Sequence, residues 1–124
     1  MTVILLVEDE QGIRDTQAKL LEYAGFDVMT APSATDAQKI IEHRHVDVLF
    51  SDIRLGRESG LELAYWVHTH YPLVAVVLMT GYSGERNELR WPLLMKPFLN
   101  DEAVELINKT LALRDNAKAR EEEE

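Results

Sequence analysis

The sequence predicts an α/β domain built on a parallel sheet. Three observations carry this reading. Short, unbroken apolar runs recur along the chain, stretches of helical period separate them, and polar or charged residues stand where each run stops. Strands buried on both faces read as continuous apolar runs, which is the signature of parallel pairing. Their alternation with helical stretches makes repeated βα units.

The elements follow in order. Val3–Val7 is the first run and stops at Glu8-Asp9-Glu10. From Gln11 the period becomes helical, with Ile13, Leu20, Leu21 and Ala24 on the expected inward face and Gly25 as the stop. Asp27–Ala31 is a short second strand. Ser33 with Asp36 three residues on makes a capping-box-like start for a helix carrying Ala37, Ile40 and Ile41. Val46–Phe50 is the third strand, ending at Ser51-Asp52. Gly60–His70 is a third helix, with Leu61, Ala64 and Val67 inward and Pro72 closing it. Val74–Met79 is the fourth strand, ending at Thr80-Gly81. Gly81–Pro92 has no apolar stripe and predicts a loop or a stunted helix. Leu93–Met95 is a fifth strand ending at Lys96-Pro97, and Asn100 is the expected cap of a last helix through Val104, Ile107 and Leu111.

The 124 residues, 46% of them hydrophobic, suffice for one domain, expected over 1–113, with a charged, disordered tail over 114–124. No apolar run reaches the roughly 20 residues of a spanning helix. Met1-Thr2-Val3-Ile4 lacks the basic region of a secretory peptide, which predicts a cytoplasmic protein. The absence of cysteine excludes disulfides and thiolate metal sites. A net charge of −9, in which Glu121–Glu124 supply four of the negative charges, argues against nucleic acid or an anionic membrane as partner.

In open parallel sheets, ligands bind outside the carboxyl ends of the strands. Four of those ends carry Glu8-Asp9-Glu10, Asp52, Thr80 and Lys96. Each has an ordinary alternative: helix-start acids, a turn residue, a strand end, a surface cation. Together they make chemical sense. Asp9 and Asp52 offer hard oxygen ligands for Mg²⁺, with Glu8 acting through a water. A carboxylate at Asp52 can form an aspartyl phosphate, and Thr80 and Lys96 can bind the phosphoryl oxygens.

On these residues the chain resembles the receiver domain of two-component response regulators over residues 2–113. The matching stretches are Ile4–Glu10, Asp47–Leu55, Gly60, Leu78–Gly81 and Lys96-Pro97-Phe98. The resemblance implies a flavodoxin-like, doubly wound five-stranded parallel sheet of order 2-1-3-4-5, with the fourth helix short or irregular. It implies that Asp52 takes a phosphoryl group from a sensor histidine kinase or phosphotransfer protein and then switches binding to a downstream protein. It assigns Mg²⁺ to Glu8, Asp9, Asp52 and the Arg54 backbone carbonyl, phosphoryl contacts to Thr80 and Lys96, and a cis peptide before Pro97.

The pattern also departs from the family. Gly56 replaces a common proline and predicts a more mobile loop. Leu93 stands where the switch aromatic is usual, and the segment from Thr80 to Lys96 is short. Arg54 and Tyr82, each two residues beyond a site residue, are expected to shield the acyl phosphate from water. With no output domain after Leu113, a stand-alone receiver, a phosphorelay intermediate or an excised piece is expected. The alternatives are an Mg²⁺-dependent phosphatase with an aspartyl-phosphate intermediate, which usually has an acid where Arg54 stands, and a receiver-like scaffold that is never phosphorylated. His43-x-His45 and His68-x-His70 lack a third ligand, Trp66 and Trp91 suit packing, and no nucleotide-binding glycine motif is present.

Overall fold

An apolar run without polar alternation must be covered on both faces, and the computed structural model, which describes residues 1–82 and 90–123, meets that demand. In chain order the elements are β1 (Val3–Val7), α1 (Gln11–Tyr23), β2 (Asp27–Ala31), α2 (Ala34–His43), β3 (Val48–Asp52), β4 (Arg54–Leu55), β5 (Glu58–Ser59), α3 (Gly60–His70), β6 (Ala75–Thr80), β7 (Leu93–Met95) and α4 (Asn100–Glu123). Five strands form one parallel sheet of order β2-β1-β3-β6-β7. With the small β4–β5 hairpin set aside, this is the expected 2-1-3-4-5 order. Residues 83–89, within the segment expected to be a loop or stunted helix, lie outside the described residues.

Strand side chains alternate between faces, and this parity divides the core in two. Leu5, Val7, Leu49, Val76 and Leu78 point to the face covered by Ala37 and Ile41 of α2 and by Leu63, Ala64 and Val67 of α3. Ile4, Leu6, Phe50, Val77 and Met79 point to the other, covered by Ala18 and Leu21 of α1 and by Ala103, Ile107 and Leu111 of α4. Fully burying a leucine or isoleucine contributes about 2 kcal/mol relative to leaving it exposed, so each face is a substantial source of stability.

Several local expectations change. Helix α1 turns Ala18 and Leu21 inward, leaving Ile13 38% and Leu20 45% exposed. The expected cap Asn100 instead sends its side-chain amide to the Leu20 carbonyl at 3.3 Å, while the Glu102 carboxylate accepts from the Leu99 amide at 2.9 Å. Ser33 caps α2 as expected, accepting from Asp36 N–H at 3.1 Å. Beyond Leu113, where a disordered tail is expected, α4 continues to Glu123. Strong helix formers such as Ala117, Lys118, Ala119 and Arg120 account for that continuation.

Gly56 does not leave a loose loop. With φ +63°, it opens a two-residue turn, Gly56-Arg57, between antiparallel β4 and β5. Such turns need positive φ at the first central residue, which proline cannot supply. The hairpin is also tied down: the Glu58 carboxylate accepts from Ala34 N–H at 3.0 Å and from the Thr35 hydroxyl at 2.5 Å. That hydroxyl bond, with the two backbone amides, holds the Glu58 carboxyl below its usual pKa.

Gly60 brings the start of α3 against the end of β3, with its N–H donating to the Ile53 carbonyl at 2.7 Å. A Cβ there would collide with the Asp52 carbonyl and lie 3.0 Å from Ser51 Oγ. Backbone cannot give way as a flexible side chain does. Gly60→Ala is therefore expected to destabilise the fold by roughly 3 kcal/mol, measured as a lower urea midpoint at unchanged slope.

Candidate functional site

Asp52 ends β3 and Glu8 follows β1, at the point where strand order reverses. Thr80 ends the neighbouring β6, one residue beyond Met79, the partner of Asp52 in the β3–β6 register. Lys96 follows β7, its amide donating to the Thr80 carbonyl at 2.8 Å. Glu8, Asp52 and Thr80 are only 2%, 7% and 1% exposed, so this polar cluster sits almost without water.

Lys96 Nζ joins the cluster, donating to Asp52 Oδ2 at 2.5 Å and to Glu8 Oε2 at 3.4 Å. Burial pulls the lysine pKa down, but the hydrogen bond and charge of Asp52, with those of Glu8, outweigh it and raise the pKa. Two nearly buried acids share one ammonium, and the balance falls short for Glu8. Desolvation, reinforced by the neighbouring Asp52, pushes its carboxyl up to about 7 against the opposing pull of Lys96. The peptide bond between Lys96 and Pro97 is cis, as expected.

The mouth of the site is formed by the loops after β3 and β6. Asp52 Oδ1 accepts from Arg54 N–H at 3.3 Å, and Thr80 Oγ1 accepts from Tyr82 N–H at 3.1 Å. The Arg54 guanidinium lies 4.6 Å over the Tyr82 ring, a cation–π contact spanning both loops. Leu93 is half-buried and packs, with Trp91 and Trp66, against the core beneath α3. Beside Lys96, the exposed Ile13 and Leu20 border a cleft that is also lined by Phe50 and Phe98.

The expected metal set is assembled only in part. Glu8 and Asp52 meet through Lys96, whereas Asp9 is exposed, its Oδ2 3.8 Å from where a Cβ of Gly56 would stand. Among the described residues, no three acids or histidines form a ready cage. Mg²⁺ needs no such cage, because it takes one or two carboxylates and keeps several waters. The donor chemistry fits it: hard oxygens, an excess of negative charge, and a carboxyl whose ionisation is opposed by burial. The paired histidines make other contacts, His45 with Asp47 at 3.1 Å and His70 with the Trp66 carbonyl at 2.9 Å.

Two contributors escaped the sequence reading: Gly60 as the contact behind Asp52, and Glu58 as the tie from the site loop to α2. Gly60 itself is among the residues that carry the family resemblance, and the Ser59 cap, whose Oγ accepts from Glu62 N–H at 3.2 Å, marks a helix start beside it.

Residues 4–115 match the response regulator receiver domain family. The alginate biosynthesis transcriptional regulatory protein AlgB of Pseudomonas aeruginosa is 38% identical over 81 residues, 65% of this chain and 18% of AlgB. The chain thus spans less than a fifth of that relative. The response regulator TrrA of Thermotoga maritima, solved in complex with Mg²⁺-BeF, is similar at 30% identity and TM-score 0.83, over 89% of this chain and 99% of that one. NtrX of Brucella abortus is similar at 26% identity and TM-score 0.90, over 100% of this chain and 30% of that one. No helix among the described residues is long and apolar enough to cross a membrane.

The electrostatics of Glu8 set a pH dependence for the metal-free protein. Its folded pKa, about 7, lies above the ordinary 4.5, so its contribution to stability is full below about 4.5 and is lost as pH rises through about 7. Urea unfolding in EDTA should show wild type losing stability relative to Glu8→Gln across that window. A difference between the two that stays constant with pH would count against this account.

Proposed function

The chain belongs to the response regulator receiver family, a phosphoacceptor signalling domain, and we propose that it accepts the phosphoryl group on Asp52. The observation that carries this assignment is the nearly buried Asp52 carboxylate at the switch in strand order, held by the Lys96 ammonium. The receiver unit is assigned to residues 1–113 and the chain to the cytoplasm.

The donor is a phosphohistidine on a sensor kinase or phosphotransfer protein. An Asp52 oxygen attacks phosphorus, the new P–O bond forms as the P–N bond breaks, and the histidine nitrogen leaves with its electron pair. Asp52 and Asp9 with the Arg54 carbonyl, and Glu8 through water, would hold Mg²⁺, which would supply charge neutralisation for the phosphoryl oxygens. Lys96 turns from the Asp52 carboxylate to a phosphoryl oxygen, keeping a charge-assisted hydrogen bond throughout. The Thr80 hydroxyl, which accepts from Tyr82 N–H, contacts the same group. This is self-catalysed transfer onto the protein, followed by hydrolysis, rather than turnover of an outside substrate. The exposed apolar residues Ile13 and Leu20, which line one cleft with Lys96, suit docking of the donor protein.

Phosphorylation then shifts the domain between two conformations and alters binding to a downstream protein. Leu93, lacking an aromatic ring, reports the change through packing under α3.

Acetyl phosphate with Mg²⁺ should label the wild type and leave Asp52→Asn unlabelled; a label that survives the substitution refutes the assignment. Arg54 and Tyr82 are proposed to close over the acyl phosphate. Losing a cation–π contact of about 0.5–1 kcal/mol should speed dephosphorylation roughly 2- to 5-fold in either Arg54→Ala or Tyr82→Ala. Unchanged decay rates of the labelled protein would remove them from that role.

A further inference from the structure

At the amino edge of the sheet, the far end of β3 from Asp52, a cleft of about 470 Å³ opens between the end of α2, the loops before β3 and β6, and α4. Its apolar lining includes the buried Ile41 and Val46, the half-buried Val74 and the exposed Leu73. Its rim is cationic, carrying Arg44, Arg114 and Lys118 together with His45 and His70. Among the described residues Asp47 is the single acid that lines it, and that carboxylate is already engaged. Asp47 accepts from Val3 N–H at 2.9 Å, from His45 at 3.1 Å and from Arg114 at 3.4 Å. Burial alone would raise its pKa, but these partners hold it below the usual carboxylate range.

Arg114 is spent in the same way. Its guanidinium reaches the Asp47 carbonyl at 3.3 Å, the Leu73 carbonyl at 3.5 Å and the Asp115 carboxylate at 2.8 Å. Arg44 and Lys118 are different: among the described residues neither has an ion-pair partner, although both line the cleft. In a chain with net charge −9, the described residues lining this concavity thus hold three cations against one acid.

We infer that this cleft binds a small organic anion with an apolar body. The volume lies in the range of small-molecule sites, roughly 300–1,000 Å³, and an apolar lining with a few placed polar groups is how such sites are built. Charge decides the size of the occupant. A nucleic acid or an anionic membrane extends over many ångströms and meets the repulsion of the whole acidic surface. A small anion feels charges within a Debye length of about 8 Å, and the lining offers it Arg44 and Lys118, whereas Asp47 and Arg114 are already engaged.

The test pairs two fluorescent probes of similar size. One is the aromatic sulfonate 1-anilinonaphthalene-8-sulfonate, the other its neutral relative N-phenyl-1-naphthylamine. The sulfonate should bind the folded wild type saturably and shift the amide resonances of Val46, Leu73 and Val74. Arg44→Glu with Lys118→Glu should weaken the sulfonate about tenfold or more and leave the neutral probe unchanged. Arg44→Gln with Lys118→Gln should give a smaller loss of the same kind, and amide spectra establish that both variants are folded. Absence of saturable binding, equal losses for both probes, or shifts confined to the cleft beside Ile13 and Phe98 would overturn the inference.

Discussion

The Lys96 ammonium stands between two carboxylates that have almost no access to water, and the carboxyl edge of the sheet is arranged around it. A buried charge without a partner costs several kcal/mol, so removing the lysine would strand Asp52 and Glu8 together. Satisfying both acids requires the ends of β1, β3 and β7 to arrive at one point. The bond from Lys96 N–H to the Thr80 carbonyl fixes that arrival and brings the end of β6 with it. Folding the sheet and building the site are therefore one electrostatic problem. It remains imperfectly solved in the metal-free protein, where burial, with Asp52 beside it, raises the Glu8 pKa to about 7.

The parity of the strands explains how such a site coexists with a stable core. Along β3, Leu49 faces α2 and α3 while Val48 and Phe50 face α1 and α4. Both faces are consumed by packing, so chemistry is confined to the edges where strands stop. The two edges differ. The carboxyl edge gathers acids around one lysine, while the amino edge gathers cations around one aspartate.

Much of this was legible in the sequence, for identifiable reasons. Strands buried on both faces declare themselves without reference to anything distant, as the apolar runs of β1, β3 and β6 do. Residues that end such runs are placed by topology, so Asp52, Thr80 and Lys96 could be read before any coordinates. Helix α1 was harder, because Ile13, Leu20 and Leu21 offer two overlapping apolar stripes, and tertiary contact alone chooses Leu21 with Ala18. The β4–β5 hairpin left no periodic signal, since each of its strands has two residues. Asn100 and Glu102 both suit a helix start, and their division of labour depends on the carbonyl of Leu20, 80 positions away. Of the expected metal ligands, Asp9 is exposed whereas Glu8 and Asp52 meet through Lys96, a difference in burial that the spacing of these residues does not encode.

The bond from Glu58 to the start of α2 has a consequence for protein engineering. The loop that follows Asp52 is a natural unit to exchange between receivers in order to retune them. Here that loop carries the carboxylate that holds Thr35 and the first amide of α2, so it is not self-contained. A graft that took residues 53–59 alone would leave the donor's α2 without its acceptor and bring to the recipient a carboxylate with no counterpart. The transferable module is the hairpin together with the first turn of a helix nearly two dozen residues upstream.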